Sequence, residues 1–273
     1  MPLYQAIVLA IVQGLTEFLP ISSTAHLTLF PWLLGWKDPG LTFDVALHAG
    51  TLVAVLVYFW RYWVDMVGTV LGRNWGGNPG LGLNRRLLWF LAAATVPAGA
   101  AGWLFGHAAE EELRSPMVIG VALVVVGLLM WAGERAGSQN QELRQVGFVD
   151  SVLVGVAQAL AVIPGVSRSG ITMTAGLFRG MKRQTAARFS FLLSTPIIAG
   201  AALKKGLDIR HTGIPYEMVL PFVMGIVVAA VVGYLVIAVL IRYLEHRTFR
   251  IFIVYRVALG VLVLGLGWGL RHA

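Results

Sequence analysis

The sequence predicts an all-α integral membrane protein, with six transmembrane helices plus two re-entrant helix hairpins in an inverted-topology repeat. Three observations predict it. The chain is 58% hydrophobic and only 12% charged, against about 25% charged residues in an ordinary soluble domain. Six segments hold the roughly 20 mostly apolar residues that a crossing needs. Two further apolar regions are broken by hydroxyl-rich turns, and the stretches around those breaks, residues 13–24 and 158–169, read as copies of each other.

In chain order, residues 3–35 are apolar but interrupted at Leu19-Pro20 and Ile21-Ser-Ser-Thr24. Each arm is too short to cross comfortably, so the region reads as a hairpin that enters the membrane and leaves on the same side. The first three spans follow at about 43–63, 86–106 and 116–133. Residues 148–181 form the second hairpin, interrupted at Pro164-Gly165 and Ser167-Arg-Ser-Gly170. The last three spans lie at about 185–203, 217–241 and 251–270. Three spans is an odd number, so the second half inserts upside down relative to the first. The chain is then one membrane domain, with repeat 1 over about 1–133 and repeat 2 over about 148–273.

The copies align at one offset. Gln13 meets Gln158, Leu15 meets Leu160, Ile21 meets Val166, Ser22 meets Ser167 and Thr24 meets Ser169. They differ where chemistry would differ: Glu17 meets Val162, and Ser23 meets Arg168. Matched helix-breaking segments in two halves of an apolar chain point to a site at the bilayer midplane.

The formal charge is +8. The basic residues sit mostly between apolar spans, which fits cytoplasmic loops, anionic lipid and phosphate rather than nucleic acid. With hairpins returning to their own side, one face carries thirteen basic residues, including Arg85, Arg86, Arg183 and Arg250. The other carries six, with the acidic run Glu110-Glu111-Glu112. The basic face is expected to be cytoplasmic, and both termini to face outward. The stretch from Gly72 to Gly82, with Asn74, Asn78 and Pro79, reads as a flexible cytoplasmic loop. Met1 to Leu19 has no basic leader and reads as part of the first hairpin rather than a cleaved signal peptide. Trp32, Trp36, Trp60, Trp63, Trp103 and Trp131 fall near span ends, as interfacial belts do. With no cysteine, disulfides, thiol nucleophiles and thiolate-bound metals are excluded.

Ionisable residues within membrane segments are expensive and are functional candidates by default. Here they are Glu17, His26, Asp44, His48, Arg168 and Arg256. Arg168 sits between Gly165 and Gly170 at the start of a half-helix, whose free N–H groups and positive dipole end point at the turn. Its guanidinium offers a planar fork suited to phosphate oxygens, and Ser167, Ser169 and Thr172 add hydroxyls. Together they read as an anion cradle, with an Arg168–Glu17 inter-repeat ion pair compatible with it. In the first hairpin, Ser23 and His26 are three apart and share a helical face. Serine is a nucleophile once activated, and histidine a base or acid near neutral pH. Glu17 can orient His26, act as a base, or hold a divalent metal through hard oxygens. Ser22 and Thr24 read as helix N-caps, and Ser22 also lies within reach of the anion cradle. Gln13 and Gln158 read as ties between each hairpin and neighbouring backbone, with Gln13 also beside the substrate site. Asp44 and His48, one turn apart, either line the mouth of the site or form a local pair. Ser190, Ser194 and Thr195 pack toward the second hairpin, and Arg256 is expected to snorkel to the cytoplasmic interface.

Residues 13–26, residues 164–172 and the block Ala187-Arg-Phe-Ser-Phe-Leu-Leu193 closely resemble signature regions of the bacterial undecaprenyl-diphosphate phosphatases, also called bacitracin-resistance proteins. The resemblance extends over nearly the whole chain. It implies a membrane hydrolase that converts undecaprenyl diphosphate to undecaprenyl phosphate and inorganic phosphate, recycling the lipid carrier for peptidoglycan and other envelope glycans. It implies the bacterial inner membrane, a site opening to the periplasmic side, and a divalent cation, magnesium or calcium. By the family motifs, Glu17, Ser23, His26 and Arg168 match functional positions, with Ser167 and Ser169 flanking the arginine. Members with glutamate in place of Gln13 have two motif carboxylates and this chain keeps one; Ala25 stands where glycine is common. The resulting expectation is Ser23 as nucleophile with His26 as base and then acid, the rival being water activated by His26 or Glu17. A second class stays open: an inverted-repeat transporter or flippase of a prenyl phosphate or other anion. Membrane lipids are the surroundings, and a homo-oligomer is compatible with the pattern.

Overall fold

The apolar runs become helices because the bilayer interior leaves backbone groups no other partner than their own chain. The computed structural model describes the backbone of residues 1–73, 84–111, 113, 115–213 and 215–272, and side chains except those of 107–111, 208, 210–212 and 267–272. The described chain is helical, without a strand: α1 Leu3–Phe18, α2 Ser23–Leu33, α3 Leu41–Tyr58, α4 Trp60–Val70, α5 Leu87–Glu111, α6 Pro116–Ala136, α7 Phe148–Ala159, α8 Arg168–Phe178, α9 Arg183–Thr212, α10 Tyr216–His246 and α11 Arg250–His272. The loop expected at Gly72 to Gly82 and the run Glu110-Glu111-Glu112 lie largely outside what is described.

Among the described residues, five helices are long and apolar enough to cross a membrane: those at 41–58, 87–106, 116–136, 183–207 and 216–246. α11 continues the helical pattern to His272, with its last side chains outside the described set. One expected boundary needs correction. The span placed at 43–63 ends at Tyr58, where the helix breaks at Phe59 and α4 begins. Large apolar side chains such as Trp103, Leu203, Val239 and Val254 are exposed on the outside. A surface so rich in them fits lipid, not water.

The short helices form two closed hairpins. At about 1.5 Å per residue, α2 and α8 span only some 16 Å. Tyr4 at the start of α1 stacks edge-on against Trp36 just past α2, with ring centroids 5.8 Å apart. Asp150 at the start of α7 accepts a hydrogen bond from Arg179 Nε, just past α8, at 2.8 Å. Each hairpin therefore leaves the bundle beside the point where it entered.

The packing is reciprocal between halves. α1 packs against α10, and its counterpart α7 packs against α5, while α6 and α11 pack on each other. The α5–α7 approach depends on a missing side chain: a Cβ on Gly155 would meet Ala94 O at 2.2 Å. Small residues of this kind let membrane helices come close enough for dispersion contacts. Phe18, at the end of α1, meets Phe191 of α9 edge to face at 5.2 Å, anchoring the hairpin tip in the core.

Candidate active site

Both hairpin tips are built alike. Ser22 (φ 77°) and Ser167 (φ 69°) hold left-handed backbone conformations that L-residues seldom adopt. Each then caps the helix it starts: Ser22 Oγ accepts from Ala25 N at 3.4 Å, and Ser167 Oγ from Gly170 N at 3.1 Å. The turn thus reverses the chain in a few residues and leaves a free helix N-terminus at each tip. Gly165 (φ +93°) completes the second tip, where a Cβ would also strike Ile119 O at 2.7 Å.

Breaking the helices at the tips frees backbone carbonyls, which need partners where they are buried. Arg256 of α11 meets them. It is fully buried, and donates to Pro20 O at 3.1 Å and to Gly165 O and Val166 O at 3.0 Å each. Longer bonds reach Leu123 O and Ala122 O. The expectation that Arg256 snorkels outward is therefore wrong. Arginine offers five N–H donors and no acceptor, which matches a ring of carbonyls and ties both tips to α6. Replacing it strands several buried carbonyls. We expect Arg256→Met to cost about 3 kcal/mol or more, read as a clear fall in the melting temperature of the detergent-solubilised protein.

Between the tips lies a cavity of about 350 Å³, bordered by Glu17, Ser23, Thr24, His48, Gln158, Ser167 and Arg168. Its α3 wall, at Val45 and His48, comes from the first half of that helix. Its α5 and α9 walls, at Ala98, Gly102, Ile198 and Ala201, come from later in theirs. It therefore lies toward the end of the bundle where α3 begins.

Glu17 is the hub. Arg168 Nη2 donates to its Oε1. Ser23 Oγ donates to Oε2 at 2.6 Å, and Gln13 Nε2 to the same oxygen at 3.0 Å. His48 Nε2 lies 3.4 Å from Oε2, while its Nδ1 bonds Asp44 O at 2.8 Å. The nucleophile candidate from one half and the cation from the other thus meet on one carboxylate. A buried carboxylate is tolerable only when paired and hydrogen-bonded in this way.

His26 does not join this group. Its Nδ1 bonds Ser22 O at 2.7 Å, and its Nε2 meets the Tyr255 hydroxyl at 2.7 Å. A carbonyl can only accept, so Nδ1 carries the proton, and in the neutral ring Nε2 accepts from Tyr255. Helical spacing alone suggested that His26 serves Ser23. The Ser22 carbonyl and the Tyr255 hydroxyl on α11 hold its ring elsewhere.

Two further donors assigned to the anion cradle are spent on the protein. Ser169 Oγ donates to Glu17 O at 3.1 Å and Leu19 O at 3.2 Å, capping the end of α1 across the repeat boundary. Thr172 Oγ1 bonds Arg168 O at 2.7 Å and Ser190 Oγ at 2.6 Å. Ser22 stays a helix cap. Of the cradle group, Arg168 and Ser167 border the cavity. Gln13 bonds a side chain rather than backbone, and Gln158, expected to tie its hairpin to backbone, has no protein partner at either amide atom.

His48 is the residue whose weight the sequence understated. Its signal was an ionisable side chain within a span, which the pairing with Asp44 obscured. No cluster of three or more His, Cys, Asp or Glu side chains occurs among the described residues. What is present is one carboxylate, Glu17, beside the buried and unbonded Gln13 Oε1. These are the two side chains whose oxygens could hold a hard divalent ion.

Comparison with known proteins gives a concordant result. The model of the family described as "Bacitracin resistance protein BacA" matches residues 6–262. A Moorella thermoacetica protein named undecaprenyl-diphosphatase is 50% identical over 98% of this chain and 99% of its own length. Proteins of the same name from Desulforudis audaxviator (50% identical, 96% of each chain) and Pelotomaculum thermopropionicum (46% identical, 97% of this chain and 96% of the relative) match as fully.

Proposed function

This chain belongs to the bacitracin resistance protein BacA family, and from that membership and the Glu17-centred cavity we propose that it hydrolyses undecaprenyl diphosphate to undecaprenyl phosphate and inorganic phosphate. The observation that carries the chemistry is one buried carboxylate joined both to a hydroxyl nucleophile and to a guanidinium. A carrier of anions needs a cation and helix ends but no such acid/base set. The experiment is phosphate release from a prenyl diphosphate by the purified protein in detergent. A transporter would release none.

Six spans and two re-entrant hairpins in inverted repeat are the membrane arrangement we infer. The closed hairpins, the matched left-handed serines and the reciprocal α1–α10 and α7–α5 packing support it. The excess of basic residues on one face supports a cytoplasmic position for that face. The cavity then opens to the periplasmic side of the inner membrane. An apolar groove of about 460 Å³ between α6 and the second hairpin tip, at Leu160, Ile163, Val166 and Ile171, shares Ile163 with the cavity, and suits the prenyl tail.

In this reading the terminal phosphate takes Arg168 from Glu17, and the free N-termini of α2 and α8 face its remaining charge. Phosphoryl transfer needs mostly positioning and charge stabilisation. Ser23 Oγ attacks the terminal phosphorus as its proton passes to Glu17 Oε2. The anhydride bond breaks, and the proton goes on to the departing undecaprenyl phosphate. Water then cleaves the phosphoserine, giving its proton to Glu17, which returns one to Ser23 Oγ. Glu17 thereby takes the base role first assigned to His26. His26, held by Tyr255, sets the start of α2.

A divalent cation, magnesium or calcium, would be held by Glu17, Gln13 Oε1 and the phosphates. It would supply charge neutralisation on the diphosphate. We expect chelation by EDTA to lower the rate at least about tenfold and magnesium to restore it. Full activity in EDTA would remove the cation from the scheme.

A further inference from the structure

The broken repeat leaves one side chain without its partner. In the first half, Gln13 Nε2 donates to Glu17, one helical turn on. In the second half the same place one turn on from Gln158 is Val162, which offers nothing. Gln158 is only 2% exposed, and neither Oε1 nor Nε2 bonds any protein group. It borders the same cavity as Ser23, Glu17 and Arg168. A buried amide with no protein partner is costly, and leucine at this place would carry no such cost. The amide is therefore matched to what enters the cavity.

We propose that Gln158 is a further substrate-binding residue, whose Nε2 donates to a phosphate oxygen of the diphosphate headgroup held by Arg168. An amide suits this place because it adds a donor without a second charge. Arg168 alone can then set the charge balance with Glu17. The repeat thus supplies two identical glutamines for two tasks: Gln13 holds the carboxylate, and Gln158 holds the ligand. This rests on the phosphatase reading above.

The test uses the full chain in detergent with undecaprenyl diphosphate. Losing a hydrogen bond to a charged oxygen is worth roughly ten- to a hundredfold. Gln158→Leu is expected to raise KM by about that factor, with a smaller change in kcat and a melting temperature unchanged or raised. A packing role predicts the reverse sign, with stability lost alongside activity. Gln158→Glu keeps the size but sets a carboxylate against the phosphates, and is expected to weaken binding further. Stabilisation of the protein by inorganic diphosphate gives a second readout, expected in the parent and lost in Gln158→Leu. This arm stands even if the parent releases no phosphate, an outcome that would sink the phosphatase reading alone. A KM within twofold of the parent, or loss of folding in both variants, would overturn the assignment of Gln158.

Discussion

Arg168→Ala is expected to lower kcat/KM by about a thousandfold or more, the scale on which a single arginine acts in phosphoryl transfer. Two losses combine. The phosphate loses its planar, bidentate partner, and Glu17 is left buried with its cation gone. Arg168→Lys restores a charge but not the fork, so it should recover only part of the rate. Steady-state kinetics on all three proteins decides this. A double variant, Glu17→Gln with Arg168→Ala, should fold better than Arg168→Ala alone, because it no longer buries a carboxylate stripped of its guanidinium. Near-normal turnover in Arg168→Ala would mean that the anion is bound elsewhere.

Ser23→Ala should be equally damaging, with kcat falling by about a thousandfold or more if Oγ forms the bond to phosphorus. Glu17→Gln should fall comparably, since Oε2 receives the hydroxyl proton at 2.6 Å. Because the two act as one unit, the double variant should be little worse than either alone. His26→Gln should cost much less, as its ring serves Ser22 O and Tyr255 rather than Ser23. Rapid quenching of a single turnover should trap phosphoserine at Ser23. A Ser23→Ala protein of near-full rate would transfer the attack to water.

The order of sizes matters more than any one figure. Spacing along the helix ranked His26 beside Ser23, whereas the contacts in the structure rank Glu17 first. A kinetic series in which His26→Gln is worse than Glu17→Gln would restore the spacing argument.

Much was legible in the sequence. The membrane class followed from charge content and apolar runs, because lipid tolerates little else. The two breaks followed from Pro20 and Pro164 with their serines, because proline lacks an N–H and serine caps a helix start. The candidates Glu17 and Arg168 followed from the cost of charge at membrane depth, and Ser23 from its place in the hydroxyl-rich turn three residues before His26. The inter-repeat pairing of Glu17 with Arg168 was already visible as an alternative, since opposite charges cannot be left apart in hydrocarbon.

The tertiary structure alone decided which side chains meet. Arg256 read as an interfacial anchor because sequence shows its own helix, not the carbonyls that both hairpin tips expose to it. Ser169 and Thr172 read as phosphate donors because a hydroxyl's direction depends on what packs across from it. Gln13 and Gln158 looked equivalent in the alignment of the halves. Their separation required knowing that one amide reaches a carboxylate and the other faces the cavity. Sequence by itself determined the inventory of membrane helices and polar candidates, which is set by local chemistry. The partners of each buried polar group depend on contacts between distant segments, and only packing decides those.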